Sequence, residues 1–151
     1  TAIWTPGHTA NPMCYRWKDK IFSGDHVMGW ATSLVSPPDG DLTAFMASCR
    51  KLQDHPAQTF YPGHGDLISD PAARLKELIA HRQMREDQIR NALSDDPVDI
   101  PSLTRRIYVD TDATLLQVAE RNVFAHLIDL TVRGLVKPDG DLGAQSRFRA
   151  A

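Results

Sequence analysis

The sequence predicts an α/β half followed by a small domain of helix, helix and hairpin. Short runs suited to strands, Ala2-Ile3-Trp4, Ile21-Phe22 and Thr59-Phe60-Tyr61, each break at a glycine that permits a tight turn. One amphipathic helix interrupts these runs, and a long helical pattern follows them. Beyond Ser94-Asp95-Asp96-Pro97, a linker by composition, the pattern changes to two short-period helices and a strand entering an Asp-Gly turn. The expected divisions are therefore residues 1–70, a linking helix over 71–93, and a small domain over 94–151.

The first helix is expected to start at Asp41, a good N-cap, and to place Leu42, Phe45, Met46, Cys49 and Leu52 on one face against the sheet. Ser36-Pro37-Pro38-Asp39-Gly40 before it must be loop, because proline lacks a donor and Asp-Gly favours a turn. Ser69-Asp70-Pro71 is a strong helix start, with aspartate as cap and proline at the first helical position. The helix then runs to about Leu93, with Leu75, Leu78 and Ile79 in one apolar stripe that Ile89 and Leu93 continue. Its charged middle, His81, Arg82, Arg85 and Glu86, reads as a solvated face with pairs at i,i+3 and i,i+4.

In the tail, Ile100, Leu103 and Ile107 predict a short helix, and Thr111-Asp112 caps a longer one. Leu116, Ala119, Val123, Leu127 and Leu130 recur at three or four residues, so that helix buries one side and Gly134 ends it. A strand from Leu135 reaches the Asp139-Gly140 turn, and a second runs toward Phe148. Helix, helix, hairpin is the order of a winged helix.

Composition narrows the function. The 17 basic and 19 acidic residues give a formal charge of −2, which leaves no electrostatic footprint for strong non-specific nucleic-acid binding. The helix that would enter a groove carries Glu120, Arg121, His126, Asp129 and Arg133, a mixed set, and the wing adds only Arg147 and Arg149. No paired aromatics on a basic strand surface are expected to offer single strands a stacking platform. Packing or partner docking is the better reading of the tail. Cys14 and Cys49 have no metal-ligand spacing and read as reduced, partly buried thiols of a cytoplasmic protein. No apolar run approaches the ~20 residues that span a bilayer, so no membrane partner is expected.

Three segments carry the chemistry: Thr5-Pro6-Gly7-His8-Thr9, Phe22-Ser23-Gly24-Asp25-His26 and Tyr61-Pro62-Gly63-His64-Gly65. Each sets a glycine beside a metal-competent residue at a strand end. One Pro-Gly-His is weak evidence, since proline and glycine mark any turn; two copies flanking Ser-Gly-Asp are far more specific. Imidazole and carboxylate together suit zinc, and also manganese or iron, while the lack of thiolate argues against a structural zinc knuckle.

The order and flanks of these segments resemble the second half of the metallo-β-lactamase fold. The likeness extends through Gly24-Asp25-His26-Val27-Met28-Gly29-Trp30, Pro37-Pro38-Asp39-Gly40-Asp41 and His81-Arg82-Gln83-Met84-Arg85-Glu86-Asp87-Gln88-Ile89 to the lactamase-β-like hydrolase branch with its winged-helix tail. It covers nearly the whole chain. The resemblance implies an α/β fold, the C-terminal half of an αββα sandwich followed by a winged-helix-like domain. It also implies a metal site in which His8 and His64 each close the shell of one cation and the catalytic Asp25 bridges both. Two divalent ions are implied, zinc foremost with iron or manganese as substitutes, activating water for hydrolysis. His26, directly after Asp25, is a candidate to steady that site or to act as an acid, although a buried structural histidine is the plainer reading.

The principal motif of that family, His-x-His-x-Asp-His, is absent: histidine stands only at positions 8, 26, 55, 64, 81 and 126. The chain is therefore expected to be the C-terminal half of a longer hydrolase, its site incomplete as it stands. The resemblance implies an ester, thioester or related small-molecule substrate, with single-stranded RNA cleavage as the enzymatic alternative. An inactive fragment or a winged-helix interaction module is the non-enzymatic one. The stripe on the linking helix suits a homo-oligomer or the seating of the tail equally well.

Overall fold

Four strands make one sheet in the first part of the chain: β1 (Ala2–Trp4), β2 (Met13–Trp17), β3 (Lys20–Gly24) and β4 (Thr59–Pro62), in the spatial order β1-β2-β3-β4. The computed structural model describes residues 1–151 and separates into two units, Thr1–Arg82 and Gln83–Ala151. Strand β2 is antiparallel to both neighbours, whereas β3 and β4 are parallel. It follows that β1, β3 and β4 all run the same way and their C-terminal ends share one edge of the sheet.

The pleat sends alternate residues to opposite faces. On one face Ile3, Cys14, Ile21 and Phe60 are buried, and helix α1 (Leu42–Gln53) contributes Leu42, Phe45, Cys49 and Leu52 to the same core. Asp41 caps α1 as expected, accepting from Ala44 N at 2.9 Å. Gly7 is required where the first turn meets this helix: a Cβ there would stand 2.2 Å from Phe45 Cα, and its φ of 133° is closed to most side chains.

The opposite face of the sheet is aromatic and open. The register aligns Ala2, Tyr15, Phe22 and Tyr61 in one row, with Trp4 and Trp17 on the flanking rows. Tyr15, Trp4 and Trp17 are each more than half exposed, and the Phe22 and Tyr61 rings lie 5.2 Å apart. The sequence predicts no aromatic surface with basic residues beside it, yet Lys18 and Lys20 sit over the Trp17 ring and Lys51 over Trp4. Strand pairing, which brings these residues together, is not visible in their local pattern.

Helix α2 (Pro71–Ala92) starts at Asp70, which accepts from Ala73 N at 2.9 Å. Its charged middle is not the solvated face that its spacing predicts. Arg82 is 3% exposed and donates to the Ser33 carbonyl, while the Arg85 guanidinium lies 4.2 Å from the Tyr108 ring centroid. Glu86 pairs with Arg133 at 2.6 Å. Charged residues with long apolar stems cover hydrophobic surface, so a charge pattern alone misreads the face they occupy.

In the second unit, β5 (Val98–Asp99), α3 (Ile100–Ile107), α4 (Leu116–Val132), β6 (Val136–Asp139) and β7 (Arg147–Ala150) follow in order. Strand β5, two residues long, has no counterpart among the predicted elements; it pairs with β7 and makes the sheet three-stranded, β5-β7-β6. Val98, Ile100, Leu103, Val123, Leu127, Leu130, Val136 and Phe148 form its core with Ile89. Asp112 caps a single 3-10 turn, Ala113–Leu115, rather than α4 directly. Gly134, at φ 72°, ends α4 as expected, and Leu135 N bonds Leu130 O across it at 2.9 Å. The two cysteines are free and fully buried, more so than composition implies.

Candidate metal centre

Three strand ends on one edge carry the three candidate ligands, and each turn is held by a specific contact. The His8 turn is tied to α1 through Asp41 N to Gly7 O at 2.9 Å and Ser48 Oγ to Pro6 O at 2.8 Å. The Asp25 turn is tied to the His64 turn by Gly63 N to Gly24 O at 2.9 Å, and Gly29 N bonds His64 O at 3.0 Å. The Gly63–Gly24 bond continues the β3–β4 pairing beyond its last registered pair, Gly24 with Pro62.

Asp25 and His64 are in contact: Nδ1 donates to the carboxylate oxygen Oδ1 at 2.6 Å. Gly63 makes room for this, since a Cβ there would lie 2.5 Å from the same oxygen. His8 Nδ1 donates instead to the Leu34 carbonyl at 2.6 Å. In both rings the proton on Nδ1 leaves the lone pair on Nε2, the state in which imidazole binds a metal. His8, Asp25 and His64 thus suit a divalent cation in donor chemistry and in tautomer. They do not close a site by themselves: no group of three His, Cys, Asp or Glu side chains here is arranged to hold an ion.

His26 lies in the core, 1% exposed, with its ring 4.6 Å from that of Phe45 and Nε2 3.6 Å from Cys49 Sγ. Burial, and then the nearby His8 and Lys51, lower its pKa to about 3. It is neutral near pH 7 and has no readily given proton there. Burial likewise pushes the Cys49 thiol up to about 12, so the pair is a neutral packing contact.

Sequence reasoning missed the side chains that hold the segment after Asp25. Ser33 Oγ, fully buried, donates to the Asp25 carbonyl and approaches the His26 carbonyl at 3.1 Å. Arg74 donates to Met28 O at 3.1 Å and Ala31 O at 2.7 Å, and Arg82 to Ser33 O. The available signal was spacing: Arg74, Leu78 and Arg82 recur every four residues, so both cations share a face with a buried leucine.

Residues 100–145 match the family described as "Beta-lactamase associated winged helix domain". A β-lactamase-like protein 2 homolog of Drosophila melanogaster is 30% identical over 139 residues, covering 89% of this chain and 46% of that protein. An atrochrysone carboxyl ACP thioesterase of Aspergillus fumigatus is 36% identical over 96 residues, 62% of this chain and 29% of the other. The crystal structure of a metallo-β-lactamase family protein from Thermus thermophilus superposes with a TM-score of 0.84 at 25% identity, over 99% of this chain and 48% of that one. The chain spans less than half the length of each of these proteins. No helix is long and apolar enough to cross a membrane. From its winged-helix match, a superposition over 99% of its own residues and its relatives, the chain belongs to the metallo-β-lactamase superfamily, in the β-lactamase-like 2 branch, and carries a β-lactamase-associated winged helix domain.

Proposed function

We propose that this chain supplies one half of the active site of a metal-dependent hydrolase acting on a thioester or a related small ester. The observation that carries the reading is the Asp25–His64 contact at 2.6 Å, at the end of the sheet where β1 also terminates. The thioesterase name of one relative favours an acyl substrate over others. His8, Asp25 and His64 would hold divalent ions, zinc by preference, completed by ligands from outside these residues. Such ions, when bound, polarise the acyl oxygen and make water a nucleophile at neutral pH.

The chain's own residues set the terms of that chemistry. The Asp25 carboxylate accepts the Nδ1–H of His64 and fixes that ring with its Nε2 lone pair turned away from the carboxylate. The Leu34 carbonyl and Asp25 orient the two imidazoles so that both Nε2 lone pairs are free. The aromatic face of the sheet, open in these residues, is proposed to be the inner face of the sandwich, covered by its other half.

A small substrate is favoured over nucleic acid by the charges of α4. Asp129 and Glu86 both engage Arg133, and His126 is buried, which leaves few cations for phosphates. The test is metal content by elemental mass spectrometry, with acyl-thioester hydrolysis assayed in the longer protein. About two ions per chain there, and turnover lost in Asp25→Ala with the tail still folded, supports the proposal. Undiminished turnover removes Asp25 from the mechanism.

A further inference from the structure

We propose that Arg74, Arg82 and Ser33 are positioning residues: a two-arginine clamp on α2 that holds residues 25–33 and through them aims the Asp25 carboxylate at His64. The inference rests on the proposed roles of Asp25 and His64, but its physical basis is separate from the metal.

Residues 25–33 leave the sheet edge directly after Gly24, whose φ of 53° turns the chain away from β3. A segment of this kind has backbone carbonyls to satisfy and no ladder in which to satisfy them. Here the donors come from α2. The Arg74 guanidinium uses Nε for Met28 O and a terminal nitrogen for Ala31 O, and its other terminal nitrogen meets Glu77 at 2.8 Å. Eight residues along the same face, Arg82 reaches the Ser33 carbonyl while its guanidinium carbon stands 5.3 Å from the Phe45 ring centroid.

Ser33 is the link. Its carbonyl accepts a hydrogen bond from Arg82 and its hydroxyl donates to the Asp25 carbonyl, so one buried residue couples the helix to the backbone that carries the carboxylate. The same segment locks the His64 turn. Gly29 N bonds the His64 carbonyl, a Cβ at Gly29 would lie 2.1 Å from Asp66 O, and a Cβ at Gly65 would lie 2.5 Å from Trp30 Cδ1. Moving residues 25–33 therefore moves both partners of the Asp25–His64 hydrogen bond. Arginine is required at position 74 because a planar fork serves two carbonyls at once, which a lysine ammonium on a flexible stem does not reproduce.

The test uses the 151-residue chain without metal, with ¹⁵N-labelled histidine, at a pH where the rings are neutral. In the parent, the His64 ring is expected as the Nδ1–H tautomer held by Asp25, with a pyrrole-like Nδ1 shift and a pyridine-like Nε2 shift. In Ser33→Ala, which removes only a hydroxyl, and in Arg74→Lys, both shifts are expected to move toward those of a free histidine, with thermal unfolding still cooperative. Zinc titration by calorimetry is expected to weaken by about tenfold or more in the same variants. Unchanged ring shifts in both folded variants overturn the clamp. If the parent itself takes up no zinc, the proposed ligand set fails for this chain alone, and the ring shifts still decide the clamp. Arg82→Lys is a third variant, with Ser33→Ala and Arg74→Lys sufficient should it fail to fold.

Discussion

His64 Nδ1 meets Asp25 Oδ1 at 2.6 Å across a sequence separation of 39 residues, and the parallel pairing of β3 with β4 is what closes that gap. Both side chains are partly open to solvent, at 66% and 38% exposure, so the contact gives orientation more than stability.

Gly63→Ala is expected to separate these two side chains, because the new Cβ would fall 2.5 Å from the carboxylate oxygen. The position is exposed, so unfolding free energy should change by no more than roughly 1 kcal/mol. If the proposed hydrolase reading holds, its turnover should fall sharply. A crystal structure of the variant with the 2.6 Å contact intact would refute the expectation.

Gly7→Ala should be severe in the opposite sense. Its Cβ meets backbone of α1 at 2.2 Å and its φ is 133°, so neither neighbour nor chain can yield cheaply. A loss of roughly 3 kcal/mol is expected, as for strong overpacking. Urea denaturation of the 151-residue chain measures it, and a loss below about a third of that would mean the turn relaxes freely.

His26 makes the first unit acid-sensitive. Its folded pKa of about 3 lies below the ordinary value of 6.5 that it takes when unfolded, so between these values the unfolded chain binds more protons. Its contribution is present in full above pH 6.5 and is lost as pH falls toward 3. Urea midpoints measured from about pH 7 down to about pH 4 should therefore fall in the parent and fall less in His26→Phe. Equal slopes would place the acid sensitivity elsewhere.

Trp4 and Trp17 report on the aromatic face. In a Trp30→Phe background of the 151-residue chain, acrylamide should quench both readily, since each is more than half exposed. In a chain that also carries the proposed other half of the sandwich the same two tryptophans should be shielded. Equal quenching in both would refute a covering sheet.

Much of this molecule is legible one element at a time. Asp41 and Asp70 cap helices where a side-chain oxygen before an apolar period says they must, and Gly134 closes α4 through a left-handed residue that glycine adopts freely. The winged-helix order follows from local patterns in the same way. Strand β5 escapes such a reading because two residues carry no period, and Val98 is strand only through its pairing with Phe148. Arg82 escapes it too, because four charged residues in a helix look solvated until the surfaces around them are known.

The sequence by itself marked His8, Asp25 and His64 as the candidates for the chemistry, because they stand in turns whose glycines are specified locally. Tertiary structure alone decided which of them meet. Parallel pairing of β3 with β4 set Asp25 against His64, the Leu34 carbonyl accepted a hydrogen bond from His8 Nδ1, and burial made His26 a core residue. Caps and turns depend on neighbours within a few residues, so they can be read along the chain. Strand order and desolvation depend on atoms brought together from well beyond the neighbouring residues, and the reach of Arg74 and Arg82 on atoms more than forty residues away, so no local pattern encodes them.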